Sequence, residues 1–423
     1  MPYRILTIAP TSFFSDYGAH VRILEEIWHL QARGHSVVVC TYHTGNDVPR
    51  VDIRRSVDVP WKRGVMVGSS RHKLYFDVAL AATVQRTARS FKPDVVHSHI
   101  HEGALLGWTV RQLRNVPLVF DYQGSLLAEM LDHNFVREKS PFVPAIRFLE
   151  RRIDRAADAI ITSSHNAEQG LRERIGDYSE RISTLPDAVN TQTFSPPSNG
   201  MERSATLALK HSLGIPTERK VVVYLGLLAH YQGTDNLLEA AAIIKNEWGR
   251  HDIHFLVMGF PGVETYSSQA ERLGLNHHIS FPGRVPYSDA PRYLSLGDVA
   301  VSPKLSTTEG AGKIGNYMAM GLPVVAFDTP VSREYLGPLG VYAERGNSRD
   351  LAAKLCEVLD NPTTYREVGS QLRQQAITNL SWDAAIDHIE AVYEQAKVRR
   401  AGRQKEKAGR RKERRRHEAH EML

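Results

Sequence analysis

The densest concentration of residues able to do chemistry is Glu309-Gly-Ala-Gly-Lys-Ile-Gly-Asn316, which leads into Tyr317–Met320. Gly310, Gly312 and Gly315 strip side chains from the backbone on the approach to a helix, so that N–H groups can reach a phosphate. The helix start adds a favourable partial charge for an anion. Lys313, in the first turn, adds a full one. A plainer reading makes Lys313 a solvated cation and Glu309 a carboxylate that only complements the helix dipole. Gly310-x-Gly-x-x-Gly315 with Asp328 downstream satisfies the dinucleotide fingerprint. The glycines, however, follow a polar loop, and the helix before Pro323 is short for that unit. Gly310–Lys313 also mimics part of a Walker A loop, but Thr307 and Ile314 stand where Gly and Ser/Thr are required.

The first half of the chain offers further candidates. In the loop Thr11–His20, Gly18 permits close backbone approach, and Asp16 and His20 are candidate exposed contacts, although Asp16 could equally cap a helix. His97-Ser-His99-Ile-His101-Glu102 would place three imidazoles on one face of an extended segment. No other ligand cluster accompanies them, so contacts lining a cleft are favoured over a metal. Phe120-Asp-Tyr-Gln-Gly-Ser125 puts Asp121 and Gln123 at the end of an expected strand, with functional and structural roles evenly balanced.

The elements that must position these residues alternate regularly. Apolar, β-rich runs at Ile5–Ile8, Val37–Cys40, Val95–Val96, Leu118–Phe120, Ile160–Thr162 and Ile182–Leu185 read as strands covered on both faces, hence a parallel sheet. Helical patterns separate them, the first with Val21, Leu24, Ile27 and Trp28 at helical spacing. Ser195-Pro-Pro-Ser-Asn-Gly200 has linker composition. Alternation then restarts at Val221–Leu225, Phe255–Met258, His278–Phe281, Val299–Ser302 and Val324–Phe327. The expectation is α/β with two doubly wound domains, residues 1–197 and 198–380, and a ligand cleft between them. Ile386, Ile389, Val392 and Tyr393 mark a last amphipathic helix over 381–398; residues 399–423 read as a basic tail, disordered or loosely helical.

Composition narrows the partners. Apolar residues make up 42% and charged residues 24% of the 423, ordinary globular values that exclude a collagen-like or wholly disordered chain. No apolar stretch is long enough to cross a membrane. Two cysteines far apart, Cys40 and Cys356, form neither a disulfide framework nor a zinc site, which favours a reducing, cytoplasmic setting. The formal net charge is +6, but twelve Lys/Arg and four Glu from Lys397 onward contribute +8, leaving −2 for the body. Nucleic-acid binding is therefore disfavoured. The tail's cations could meet anionic headgroups at a membrane's inner face, or simply be solvated.

Ser302–Asp328, above all Tyr317-Met-Ala-Met-Gly-Leu-Pro-Val-Val-Ala326, resembles the donor-site signature of family-4 retaining glycosyltransferases. Further matches follow in the same order, including Arg33-Gly-His-Ser-Val37, Pro93-Asp-Val-Val-His97, Pro186-Asp-Ala-Val-Asn190 and Pro282-Gly-Arg-Val285. The resemblance implies the GT-B fold: two facing Rossmann-like domains, acceptor-binding first and nucleotide-sugar-binding second, with the C-terminal helix crossing back to the first. It implies retaining transfer of a hexose from a nucleotide sugar to a glycan, lipid-linked or small-molecule acceptor. No cofactor and no metal are implied, in keeping with the absence of any Asp-x-Asp pair.

By resemblance, Glu309 contacts the donor sugar. Gly310, Ala311, Gly312, Lys313 and Ile314 hold the diphosphate, and the loop of Arg284 and Val285 reads the base. Asn316 replaces the carboxylate that binds ribose. After Gly226, Leu227 and Gln232 stand where the family carries an Arg and a Lys on the diphosphate; Lys313, Lys304 and Arg284 are candidate substitutes. Gln123 replaces a His near the reacting carbon, with Asp121 beside it. Asp16, Gly18, His20, His99 and His101 fall on the acceptor side. These departures leave one alternative open, a degenerate member that binds without turnover.

Overall fold

The computed structural model describes residues 2–15, 18–58, 73–132, 135–306 and 310–420. The Val/Ile-rich runs form two parallel sheets. The first contains β1 (Arg4–Ala9), β2 (Ser36–Thr41), β3 (Asp52–Arg55), β4 (Val95–His99), β5 (Leu118–Tyr122), β6 (Ala159–Thr162) and β7 (Ile182–Thr184), in the order β3-β2-β1-β4-β5-β6-β7. The second contains β8 (Lys220–Leu225), β9 (Ile253–Met258), β10 (Ile279–Gly283), β11 (Val299–Ser302), β12 (Val324–Phe327) and β13 (Val341–Ala343), in the order β10-β9-β8-β11-β12-β13. In both, the strand order reverses beside the first strand of the sheet, which opens a crevice beyond the carboxyl ends. β3 and β13 escape the sequence reading because edge strands need no apolar run: β3 is Asp-Ile-Arg-Arg and β13 has three residues.

Helices of the first half are α1 (Gly18–Ala32), α2 (Lys73–Phe91), α3 (Ile100–Arg114), α4 (Leu126–Asp132), α5 (Val143–Asp154) and α6 (His165–Ile175). Those of the second half are α7 (Gly200–Ser212), α8 (Thr234–Ala242), α9 (Val263–Arg272), α10 (Ala290–Leu294), α11 (Gly312–Ala319), α12 (Pro330–Leu336), α13 (Ser348–Asp360) and α14 (Pro362–Asn379). The last helix, α15 (Trp382–His420), returns to the first sheet. Its Trp382, Ile386, Ile389, Val392 and Tyr393 share one core with Ile5, Val39, Val95, Val119 and Ile161.

Two expectations are corrected. α15 does not end near residue 398 but continues to His420. Arg, Lys, Glu and Ala dominate this stretch and are strong helix formers. Its first turns are also anchored, since Arg399 donates to the carbonyl of Glu180 at 2.6 Å and Arg400 to that of Arg111 at 2.7 Å. Trp28, expected on the buried face of α1, is 37% exposed, whereas Ile23, Leu24, Ile27 and Leu30 are buried.

Candidate functional site

A cleft of about 350 Å³ separates the carboxyl ends of the two sheets. Its second-half wall grows from the sequence singled out above. α11 begins at Gly312, its N-cap residue Ala311 provides no side-chain cap, and the N–H of Ile314 donates to the Ala311 carbonyl at 2.8 Å, so among the described residues the N–H groups of Gly312 and Lys313 are the ones left for a ligand. Gly310, Ala311, Gly312, Lys313 and Asn316 all line the cleft. Side chains would not fit here: a Cβ on Gly310 would meet Asp187 Oδ2 at 2.7 Å, and one on Gly312 would meet it at 3.2 Å. Tyr317, fully buried, fixes the helix by accepting from the N–H of Leu225 at 2.8 Å, at the end of β8. Burial pushes its phenol above the usual range.

Lys313 is held across that same opening. Its Nζ donates to Gln232 Oε1 at 2.9 Å and to Tyr224 Oη at 3.2 Å, and lies 4.4 Å from the centre of the Tyr224 ring. Gln232 thus orients a lysine brought from α11. Gly226, Leu227, Gln232 and Val285 share the lining. Lys304, 6% exposed, also lines the cleft and donates to the carbonyl of Gly310 at 2.8 Å.

The first-half wall includes Thr11, Gly18, Arg22, His101, Gln123 and Ser125. Arg22 organises it. Its guanidinium spans Asp121, with Nε to Oδ2 at 3.2 Å and Nη2 to Oδ1 at 3.3 Å, and Asp187, with Nη1 to Oδ1 at 2.5 Å. Asp121 also takes a hydrogen bond from Gln123 Nε2 at 3.0 Å and pairs with His99 Nδ1 at 2.8 Å. Burial opposes the charged carboxylate of Asp121, but Arg22 and then His99 outweigh it and hold the group well below the usual carboxylate range. Asp187 in turn lies against Gly310 and Gly312, so one guanidinium connects the two walls.

Several expected site residues lie elsewhere. Asp121 and His99 are fully buried behind the wall, because β4 and β5 are covered on both faces. His20 is also fully buried, not exposed; its Nδ1 accepts from the N–H of Ser15 at 2.8 Å, and burial lowers its pKa to about 3. His101 reaches the cleft but is bonded through Nε2 to Asp154 at 3.2 Å. Ile314 packs in the core of the second half. Arg284 is not in the lining; its guanidinium lies 5.3 Å from the ring centre of Phe260, which is. Asp16 and Glu309 fall outside the described residues. Arg22 goes unread in the sequence, and Asp187 enters only as part of the matched stretch Pro186-Asp-Ala-Val-Asn190, with no role. An arginine inside Val21-Arg-Ile-Leu24 and an aspartate after Pro186 were the available signals.

Among the described residues, Glu26, His97, His99 and Asp121 offer metal-ligand atoms within 4.8 Å of one another. Their charges already have partners. Glu26 pairs with His97 Nδ1 at 2.9 Å, Tyr393 Oη lies 2.8 Å from the same nitrogen, and Arg22 neutralises Asp121. Burial opposes the imidazolium of His97, but Glu26 overcomes it and raises the pKa. The group reads as a charge-balanced brace between α1, β4, β5 and α15.

Comparison with known proteins agrees with this architecture. The family model described as glycosyl transferases group 1 matches residues 207–378, and the glycosyl transferase 4-like domain matches 17–188. A D-inositol 3-phosphate glycosyltransferase of Thermomonospora curvata is 26% identical over 403 residues, covering 90% of this chain and 91% of the relative. That of Corynebacterium diphtheriae is 26% identical over 390 residues, covering 89% of each. Among solved structures, sucrose-phosphate synthase of Thermosynechococcus elongatus superposes with a TM-score of 0.79 at 18% identity, over 93% of this chain and 99% of that one. Anabaena HepE in complex with UDP-glucose gives 0.73 at 16% identity, over 94% and 100%. With both halves matched by glycosyltransferase models and two parallel sheets facing one cleft, the chain belongs to the group 1 glycosyltransferases and has the GT-B fold.

Proposed function

We propose that this glycosyltransferase moves a hexose from a nucleotide sugar to an acceptor hydroxyl, with retention of anomeric configuration and without a metal. The observation that carries the reading is Lys313, held by Gln232 and Tyr224 at the glycine-bordered start of α11. A departing nucleotide builds negative charge on its β-phosphate, and preorganised donors plus one cation at that point stabilise it. Lys313 takes over from the Arg and Lys that the family places at Leu227 and Gln232. In this reading Glu309 contacts the donor sugar, Asn316 the ribose, and the loop of Arg284 and Val285 the base. Gln123 cannot act as a base, so the leaving phosphate accepts the acceptor's proton on the same face of the sugar. Asp121 and His99 position Gln123 from behind.

The acceptor, a glycan, a lipid-linked sugar or a small molecule, enters from the side of Gly18, His101 and Gln123. The setting is cytoplasmic, and the cationic end of α15 favours the inner face of a membrane. The relatives named for D-inositol 3-phosphate make that compound the first small acceptor to test. Thermal-shift screening against UDP-, GDP- and ADP-sugars tests donor binding, because a ligand bound only by the folded state raises its stability. Donor turnover that persists in EDTA, with an α-linked product from an α-linked donor, is expected. Binding without hydrolysis or transfer would mean a degenerate member. An inverted product, or dependence on added metal, would overturn the mechanism.

A further inference from the structure

α5 sends its charges in two directions. Its acids point inward. Glu150 accepts from Ser125 Oγ at 2.7 Å and from the N–H of Leu126 at 2.9 Å, and pairs with Arg174 at 3.2 Å. Asp154 pairs with Arg174 at 2.8 Å and with His101 at 3.2 Å. Every exposed charge on the helix is therefore a cation: Arg147, Arg151 and Arg152. Large apolar side chains stand among them instead of facing the core. Phe142, just before the helix, is 69% exposed, Phe148 67% and Leu149 45%. The guanidinium of Arg152 lies 6.0 Å from the ring centre of Phe148. The segment that precedes the helix adds exposed Arg137 and Lys139 against one exposed acid, Glu138.

We propose that this face docks on a bilayer surface rich in anionic lipid, with Phe142, Phe148 and Leu149 at headgroup level and the arginines on lipid phosphates. Apolar side chains interleaved with cations, and no acid among them on the helix, form the pattern of a helix lying in a membrane interface. Charge complementarity favours this occupant. A lawn of anionic headgroups satisfies guanidinium groups in any rotational setting, whereas a protein partner would need acids at matched positions. Arg403 pairs with Asp158 at 3.3 Å, and Arg399 donates to the Asp158 carbonyl at 3.4 Å, four residues beyond the end of α5. Through Glu150 the inner side of the helix fixes Ser125 and Leu126 at the rim of the cleft. Docking would thus set the first-half wall towards the surface. That consequence for an acceptor rests on the transfer reading above; the docking itself does not.

Sedimentation of the full chain with phosphatidylcholine vesicles, with and without phosphatidylglycerol, tests the proposal independently of turnover. Binding is expected only with the anionic lipid and is expected to weaken with salt. Removing three cations in Arg147→Gln/Arg151→Gln/Arg152→Gln should weaken binding on the order of 100-fold, since each cation near such a surface contributes about fivefold. Phe142→Ser/Phe148→Ser should also release the protein, and an unchanged thermal midpoint in both variants would show that the fold is intact. Wild-type binding by both variants, with loss only on deleting residues 406–423, would assign docking to the tail alone and overturn the proposal. Equal binding to neutral vesicles, or none to either kind, would overturn it as well.

Discussion

Lys313 brings a positive charge to the α11 side of the cleft, and Gln232 and Tyr224 keep it there. Lys313→Met preserves the stem over Tyr224 but removes the charge. Affinity for a nucleoside diphosphate should fall about 10- to 100-fold, the usual worth of a charge-assisted hydrogen bond, as read by calorimetry. Arg22 is the counterpart on the other wall. Arg22→Ala leaves Asp121 buried without its cation, and urea denaturation should show a loss of about 3–5 kcal/mol. His20 makes a pH prediction. Its pKa is 6.5 in the unfolded chain and about 3 when folded. As pH falls below 6.5 the unfolded chain takes up a proton that the folded one refuses, so stability declines until the folded imidazole protonates near 3. His20→Asn should flatten this part of the stability–pH curve. A slope that is unchanged in the variant would assign it to other groups.

At the level of elements, the ends of β8 and β9 and the start of α11 must approach closely for the cleft to form. Gly259 permits it, since a Cβ there would fall 1.9 Å from the Gly226 carbonyl oxygen. Gly259→Ala should force the strand ends apart, with a destabilisation of about 1–3 kcal/mol seen as a lower thermal midpoint and weaker nucleotide binding. The sequence made most of these elements legible. Doubly covered strands leave unmistakable Val/Ile runs, and the glycines before α11 mark its exposed end. It hid what depends on contacts distant in the chain. Nothing in His97-Ser-His99 says that β4 is covered on both sides, and nothing local ties Arg22 to Asp187, 165 residues away. Likewise the sequence offers Lys313 only as one of three candidate cations, and nothing local says that Gln232 and Tyr224 hold it.

For the whole molecule, α15 ties the second half back to the first. It leaves the second half at Ser381, bridged to Val189, and seals the first sheet with Trp382, Ile386, Ile389, Val392 and Tyr393. Truncation after residue 380 should leave that apolar wall bare and yield an aggregated or protease-sensitive product. Truncation after residue 405 keeps the sealing residues and the anchors Arg399 and Arg400, and should keep the thermal midpoint. Limited proteolysis and circular dichroism distinguish the two. The same geometry dictates a sequence in time. A sheet that begins at Arg4 is closed by residues made only from Trp382 onward, so the emerging chain carries an uncovered greasy flank until residues 382–396 have left the ribosome. Slow stretches in the message before that point therefore lengthen exactly the interval in which a nascent chain needs a chaperone.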